Sequence, residues 1–136
     1  TEMAEDVMVL CEPSYGGMPV LRSGFELKNK KIESATLYAT EVPLKTMKAA
    51  LEVFPIVKAM ASEGNPASVS DAGVGALAAR SAVLGAQLNV RINAAGLADR
   101  AAAEKLCAEA AEIASAAVSA EADVMEIVNS VLSNTL

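Results

Sequence analysis

An all-α fold, an antiparallel bundle of long helices, is predicted by three features of this 136-residue chain. Apolar residues make up 53% of it but aromatics only 3%, with no Trp, so a core must be built from Ala, Val, Leu, Ile and Met, side chains that suit closely packed helices. Gly75, Ala79, Ala82, Ala86, Asn89 and Asn93 recur at steps of three and four, the spacing of one helix face. Leu106, Ala110, Ile113, Ala117, Ala120, Val124, Ile127 and Val131 alternate steps of four and three without a slip, which is a heptad seam.

Taken in order, residues 2–10 alternate acidic and apolar side chains in a way compatible with a short helix. Pro13, Ser14, Gly16, Gly17, Pro19 and Gly24 follow, a density of breakers that predicts a loop over residues 12–24, bounded at its widest by residues 11–29. Lys28, Lys30 and Lys31 read as a solvated helix start, or else as a contact for a carboxylate-rich ligand. From Ile32 a helical pattern takes over, and Leu44, Met47, Leu51, Phe54 and Val57 form an apolar stripe. Pro43 and Pro55 lie inside it; each removes a donor and crowds the preceding turn, so breaks or kinks are expected near Val42 and Phe54. Gly64 ends the segment.

The next helix is expected over residues 66–93. Pro66 suits a first helical position after Asn65, and Ser68 with Asp71 has the spacing of a capping box. Residues 88–93 taken alone alternate like a strand, but the small-residue face runs straight into them and favours helix. Residues 94–96 end it, and Leu97 or Asp99 starts a last helix over residues 98–132. At 1.5 Å per residue that helix is about 50 Å long, more than a compact chain of this size can cover. A homodimer or higher homo-oligomer is therefore expected, sealed by the small-residue and heptad faces. Glu104, Glu109, Glu112, Glu121, Asp123 and Glu126 lie off the seam and read as a solvated face rather than a metal site.

Composition narrows the function. The net charge is −6 and the isoelectric point about 4.6, with no Lys/Arg run interleaved with aromatics, which argues against nucleic acid or an anionic membrane as partner. No apolar run reaches the roughly 18 residues of a membrane span, and the N-terminus lacks a signal-peptide pattern, so a cytoplasmic location is expected. Cys11 and Cys107 sit in no metal-like spacing and read as free thiols, a disulfide between them being the lesser reading. The absence of His removes the commonest general base and metal ligand, leaving carboxylates, Lys, Tyr or bound water for any chemistry.

The chain holds the words Gly64-Asn65-Pro66, Ser70-Asp71-Ala72-Gly73-Val74, Leu88-Asn89-Val90-Arg91-Ile92-Asn93 and Gly96-Leu97-x-Asp99, with Ala39-Thr40-Glu41-Val42-Pro43-Leu44 upstream. In that order they resemble the formiminotransferase-cyclodeaminase domain family, which includes stand-alone methenyltetrahydrofolate cyclohydrolases. The resemblance covers about residues 36–100. Family members usually open with a Pro-Thr-Pro-Gly-Gly-Gly-like turn that Ser14-Tyr15-Gly16-Gly17-Met18-Pro19 does not match. A single cyclodeaminase-like domain over residues 1–136, lacking the family's N-terminal part, is therefore expected.

That resemblance implies a one-carbon enzyme acting on reduced folate. It would be either a formiminotetrahydrofolate cyclodeaminase, an ammonia lyase, or a methenyltetrahydrofolate cyclohydrolase. Both reactions work at one amidine-like carbon between two folate nitrogens, and both need a group that moves a proton and dipoles that hold the cation. No metal and no cofactor beyond the tetrahydrofolate substrate is expected. Asp71 is the candidate for the proton, its alternative being the capping box and the helix dipole. Asn65, Ser70, Asn89, Arg91 and Asn93 are the candidate substrate contacts, Arg91 through its bidentate fork. Alternatively, the two amides tie close-packed helices together while Arg91 points to water. Arg80 and Lys45 are further candidate anion contacts. A catalytically inactive helical scaffold of the same fold remains the alternative function.

Overall fold

The computed structural model describes residues 18–135, with side chains from residue 24. The predicted helix at residues 2–10, the start of the predicted loop and Cys11 lie outside them. Four helices follow in order: α1 (Met18–Leu51), α2 (Val53–Glu63), α3 (Val69–Ala94) and α4 (Arg100–Thr135). A single 3-10 turn, Pro66–Ser68, precedes α3, and no strand occurs among the described residues. α1 and α2 run one way, α3 returns and packs against both, and α4 closes an antiparallel bundle.

Two expectations about boundaries are corrected, and a third, the break near Phe54, is met two residues earlier. The loop predicted up to Gly24 is helical from Met18 onward, because Pro19 falls in the first turn, where its missing N–H has no intrahelical acceptor in any case. α1 passes Pro43 without interruption. The second break is at Glu52, which keeps right-handed helical angles (φ −66°, ψ −13°), and it leaves Pro55 as the third residue of α2, again in a first turn. α2 ends at Gly64, whose N–H donates to Met60 O at 3.1 Å; a Cβ at Gly64 would run into that carbonyl.

The apolar stripe read across residues 44–57 is the inner face of α1 and α2: Leu44, Met47, Phe54 and Val57 are buried and Leu51 half-buried. The heptad seam is the inner face of α4, where Ala110, Ile113, Ala117 and Val124 are buried inside this chain. The seam is thus not a free surface awaiting a partner, as its length suggested, because α1, α2 and α3 already cover its middle. On α3 the buried face is turned from the predicted one. It runs through Ala72, Ala76, Ala79, Val83, Ala86, Val90 and Ala94, sharing only Ala79 and Ala86 with the expectation. The predicted stripe looks toward α1 and α2 alone, whereas α3 must also meet α4, so its buried centre lies between the two.

Small residues set how closely these helices approach. A Cβ on Gly73 would lie 3.3 Å from Val128 Cγ1 of α4, and one on Gly75 would lie 3.1 Å from Val57 Cγ1 of α2. The two glycines therefore serve opposite flanks of α3, and either methyl would push a packed neighbour aside.

The α3–α4 connection is held by charge. Asp99 caps α4, accepting from Ala102 N–H at 3.0 Å, while Arg100 donates to Leu97 O at 3.2 Å and Ala94 O at 3.4 Å. Glu33 of α1 reaches across to accept from Asp99 N–H (3.0 Å) and Ala98 N–H (2.9 Å). Those two bonds, Asp99's first, hold the Glu33 carboxyl below the usual range. A depressed carboxylate stabilises the fold above its unfolded pKa, about 4.3, and that contribution is lost as pH falls through the lower folded value. Glu33→Gln is accordingly expected to lower the melting temperature slightly at neutral pH, with the difference from wild type closing on acidification below about pH 4; thermal melts across that range check it.

Candidate functional site

The residues singled out in the sequence fall at the two ends of α3. At its start, Asn65 stands before Pro66 and its side chain accepts from Ala67 N–H at 3.0 Å. The cap is therefore Asn65 acting on the 3-10 turn. Ser68, the expected capping-box residue, makes no side-chain cap bond, because the 3-10 turn leaves it at φ −107°, ψ 13° rather than extended. That correction matters for Asp71. With the box unformed, Asp71 is an exposed carboxylate in the first turn of α3 with no side-chain partner among the described residues, and only the helix dipole remains as a structural role. Ser70 is exposed beside it.

At the other end two grooves open on opposite flanks of α3. The first, about 470 Å³, lies between α1 and α3 and is lined by Val42, Pro43, Thr46, Ala82, Ala86, Asn89 and Asn93. Asn89 is exposed there. Asn93 is half-buried and its Nδ2 donates to Ala39 O at 2.8 Å. Ala39 carries the carbonyl to which the N–H of residue 43 would donate in the helix ladder, and Pro43 has no N–H. Asn93 thus supplies the donor that Pro43 lacks, and α1 continues through the proline without the break that was expected. The interhelix tie foreseen for the two amides is realised by Asn93 alone.

The second groove, about 370 Å³, lies between the end of α3 and the start of α4; Gln87, Arg91, Arg100 and Cys107 contribute its polar lining. Arg91 is exposed and has no hydrogen-bond or ion-pair partner among the described residues, whereas Arg100 is held by the carbonyls that end α3. Cys107 carries a free, half-buried thiol. Sequence reasoning missed Gln87, Arg100, Cys107 and Thr46 as groove residues. Gln87 had a usable signal, lying one turn before Arg91 on the same flank; the other three become neighbours only through packing.

The acidic residues of α4 divide. Glu109 pairs with Lys48, Asp123 with Lys58 at 3.2 Å and Glu121 with Arg80 at 3.4 Å. Arg80 is therefore spent on α4 and is not the free anion contact proposed for it, while Lys45 is exposed on α1. Among the described residues no group of three or more Cys, Asp or Glu is placed to hold a metal ion, and no helix is long and apolar enough to cross a membrane.

The two ends do not form one site. Eighteen residues separate Asp71 from Asn89 along α3, about 27 Å at 1.5 Å per residue. Asn65, Ser70 and Asp71 are brought together at one end, and Asn89, Arg91 and Asn93 at the other.

Comparison with known proteins bears on what such ends do. Residues 24–112 match the formiminotransferase-cyclodeaminase family. A methenyltetrahydrofolate cyclohydrolase of Methylorubrum extorquens is 44% identical over 75 residues, which are 55% of this chain and 36% of that protein. The chain thus spans about a third of the length of this relative.

Proposed function

This chain belongs to the formiminotransferase-cyclodeaminase family, and from that premise we propose that it acts in one-carbon chemistry on reduced folate, as a methenyltetrahydrofolate cyclohydrolase. The observation that carries the reading is the 44% identity to a cyclohydrolase over 75 residues. Water adds to the cationic carbon held between two folate nitrogens, one carbon–nitrogen bond of the ring breaks, a formyl group is left and one proton departs. Asp71, exposed and without a side-chain partner among the described residues, is the carboxylate proposed to take that proton. Asn89, with its amide at the α1–α3 groove, is proposed to bind the pterin edge by complementary hydrogen bonds; since Asp71 stands about 27 Å away on the same helix, the carboxylate that serves this groove is proposed to be Asp71 of the partner subunit in the expected homodimer. Arg91, beside Arg100, is suited to the carboxylates of the folate's glutamate tail. Asn65 and Asn93 contribute by placing these groups, since their side chains are committed to backbone, and Ser70, exposed beside Asp71, is proposed as a substrate contact.

The test is turnover of methenyltetrahydrofolate by the purified chain, followed as loss of the methenyl chromophore. Catalysed ring opening is the expected result. Ammonia release from formiminotetrahydrofolate without ring opening of the methenyl compound would replace the cyclohydrolase by the cyclodeaminase. A folded chain that neither turns over nor binds either folate would leave the helical scaffold as the function.

A further inference from the structure

We propose that residues 2–10 of this chain fold back as a short antiparallel helix on the exposed start of α1, held there by apolar contact and opposite charge. The Glu33 carboxylate meets the α3–α4 connection at Ala98 and Asp99, which marks where α1 joins the bundle. Before that point α1 is bare among the described residues. All of residues 25–32 are exposed, and none belongs to either buried cluster. Phe25 and Ile32 are open at 59% and 53%. Two turns apart, they share one face, with the stem of Lys28 between them.

Charge points to the occupant. Residues 18–32 hold Arg22, Lys28, Lys30 and Lys31 against Glu26 alone, four of the 11 Lys and Arg residues in the whole chain. Residues 1–17 hold Glu2, Glu5, Asp6 and Glu12 and neither Lys nor Arg. An acidic stretch thus precedes the most basic one in a chain of net charge −6. A second copy would bring the same basic face and be repelled, whereas the chain's own acidic segment is attracted.

The apolar pattern of the segment fits the same pairing. Met3, Val7 and Leu10 recur at steps of four and three, one face of a helix. A helix over residues 2–10 and the stretch 24–32 have the same length, about 13 Å at 1.5 Å per residue. So short a helix is marginal alone in water and requires a face to lie on.

The connection sets direction and register. Residues 11–17 include Pro13, Gly16 and Gly17, which stop a helix and let the chain turn. Seven residues reach at most about 25 Å. With Leu10 beside Phe25 they cover about 10 Å along α1 back to Met18, plus one interhelix spacing of about 8–10 Å, well within reach. A parallel segment would instead have to return from the level of Ile32, about 21 Å along α1, and would stretch them nearly straight. In the antiparallel register Leu10 meets Phe25 and Met3 meets Ile32, and Asp6 falls on the side of the contact where Lys28 lies. This contact does not depend on the folate reading.

Disulfide trapping in the full chain tests the fold-back. In a Cys11→Ser, Cys107→Ser background, Met3→Cys with Ile32→Cys is expected to oxidise within one chain at least about tenfold faster than Glu5→Cys with Ile32→Cys, because position 5 lies on the far side of the segment's helix. Adding Asp6→Lys should slow the first pair, adding Lys28→Asp to that variant should restore its rate, and raised salt should slow the pair with its natural charges. Equal rates from positions 3 and 5, no disulfide from either, or a rate indifferent to the charge at position 6 overturns the docking. A disulfide that forms between chains assigns the face to a second copy and overturns it as well.

Discussion

Asp71→Asn is expected to lower the turnover of methenyltetrahydrofolate by about 10²-fold or more, the usual worth of a positioned general base, while leaving KM and the melting temperature close to wild type. Asparagine keeps the size of the side chain and its acceptor oxygen, so what is removed is the charge and the capacity to hold a proton. The stability side is constrained by the structure. Asp71 is exposed in the first turn of α3 with no side-chain partner among the described residues, and the capping box that would have tied it to the backbone is not formed. Only its interaction with the helix dipole is lost, about 0.3–1 kcal/mol at an exposed site.

Asn89→Ala should separate from it kinetically. An amide that binds the substrate equally before and during reaction raises KM with kcat largely kept. Steady-state kinetics of the two variants, with thermal melts as the control, check both. Full turnover by Asp71→Asn would assign Asp71 to the helix dipole and require another proton acceptor.

These expectations show which part of the molecule the sequence carries openly. Periodicity located the inner faces of α1, α2 and α4, because a single unbroken stripe does the burying in each: Leu44, Met47, Phe54 and Val57 on one rod, and on the other Ile113 and Val124 among Ala110 and Ala117. On α3 it misplaced the face, since Ala, Gly and Ser supply 12 of its 26 residues and fall on every side of the helix, so that many stripes look alike. Which one is buried is decided by two neighbours at once, and that information is tertiary. Caps were partly legible: Pro66 after Asn65 correctly marked a helix start, but the 3-10 turn moved the capping role from Ser68 to Asn65.

The candidate site was legible as a set of residues and not as a place. The words around Asp71 and Asn89 could be picked out in order along the chain, but their separation follows only once α3 is known to be one uninterrupted helix. The charges behaved similarly. Arg80, Glu109, Glu121 and Asp123 were each recognisable as off the apolar faces, but their partners lie on other helices more than 40 residues away, beyond the reach of any local pattern.

Asn93 gives the clearest case of a residue whose role only the packed structure reveals, and its second prediction separates packing from binding. If Asn93 serves chiefly to donate to the Ala39 carbonyl left open by Pro43, Asn93→Ala should destabilise the chain by about 1 kcal/mol, within the 0.5–1.5 kcal/mol of a typical intramolecular hydrogen bond. In a Pro43→Ala background, residue 43 regains its N–H and can close the helix ladder onto Ala39 itself. Removing Asn93 should then cost little, and the two substitutions should couple by most of that 1 kcal/mol in a double-mutant cycle measured by urea unfolding. Additive effects would mean that Asn93 acts on stability by another route. A substrate contact predicts a different pattern: folate affinity would fall in Asn93→Ala whatever residue occupies position 43. Because Asn89 lines the same groove with its amide free of any such tie, it is the residue in which a loss of affinity without a loss of stability should be seen.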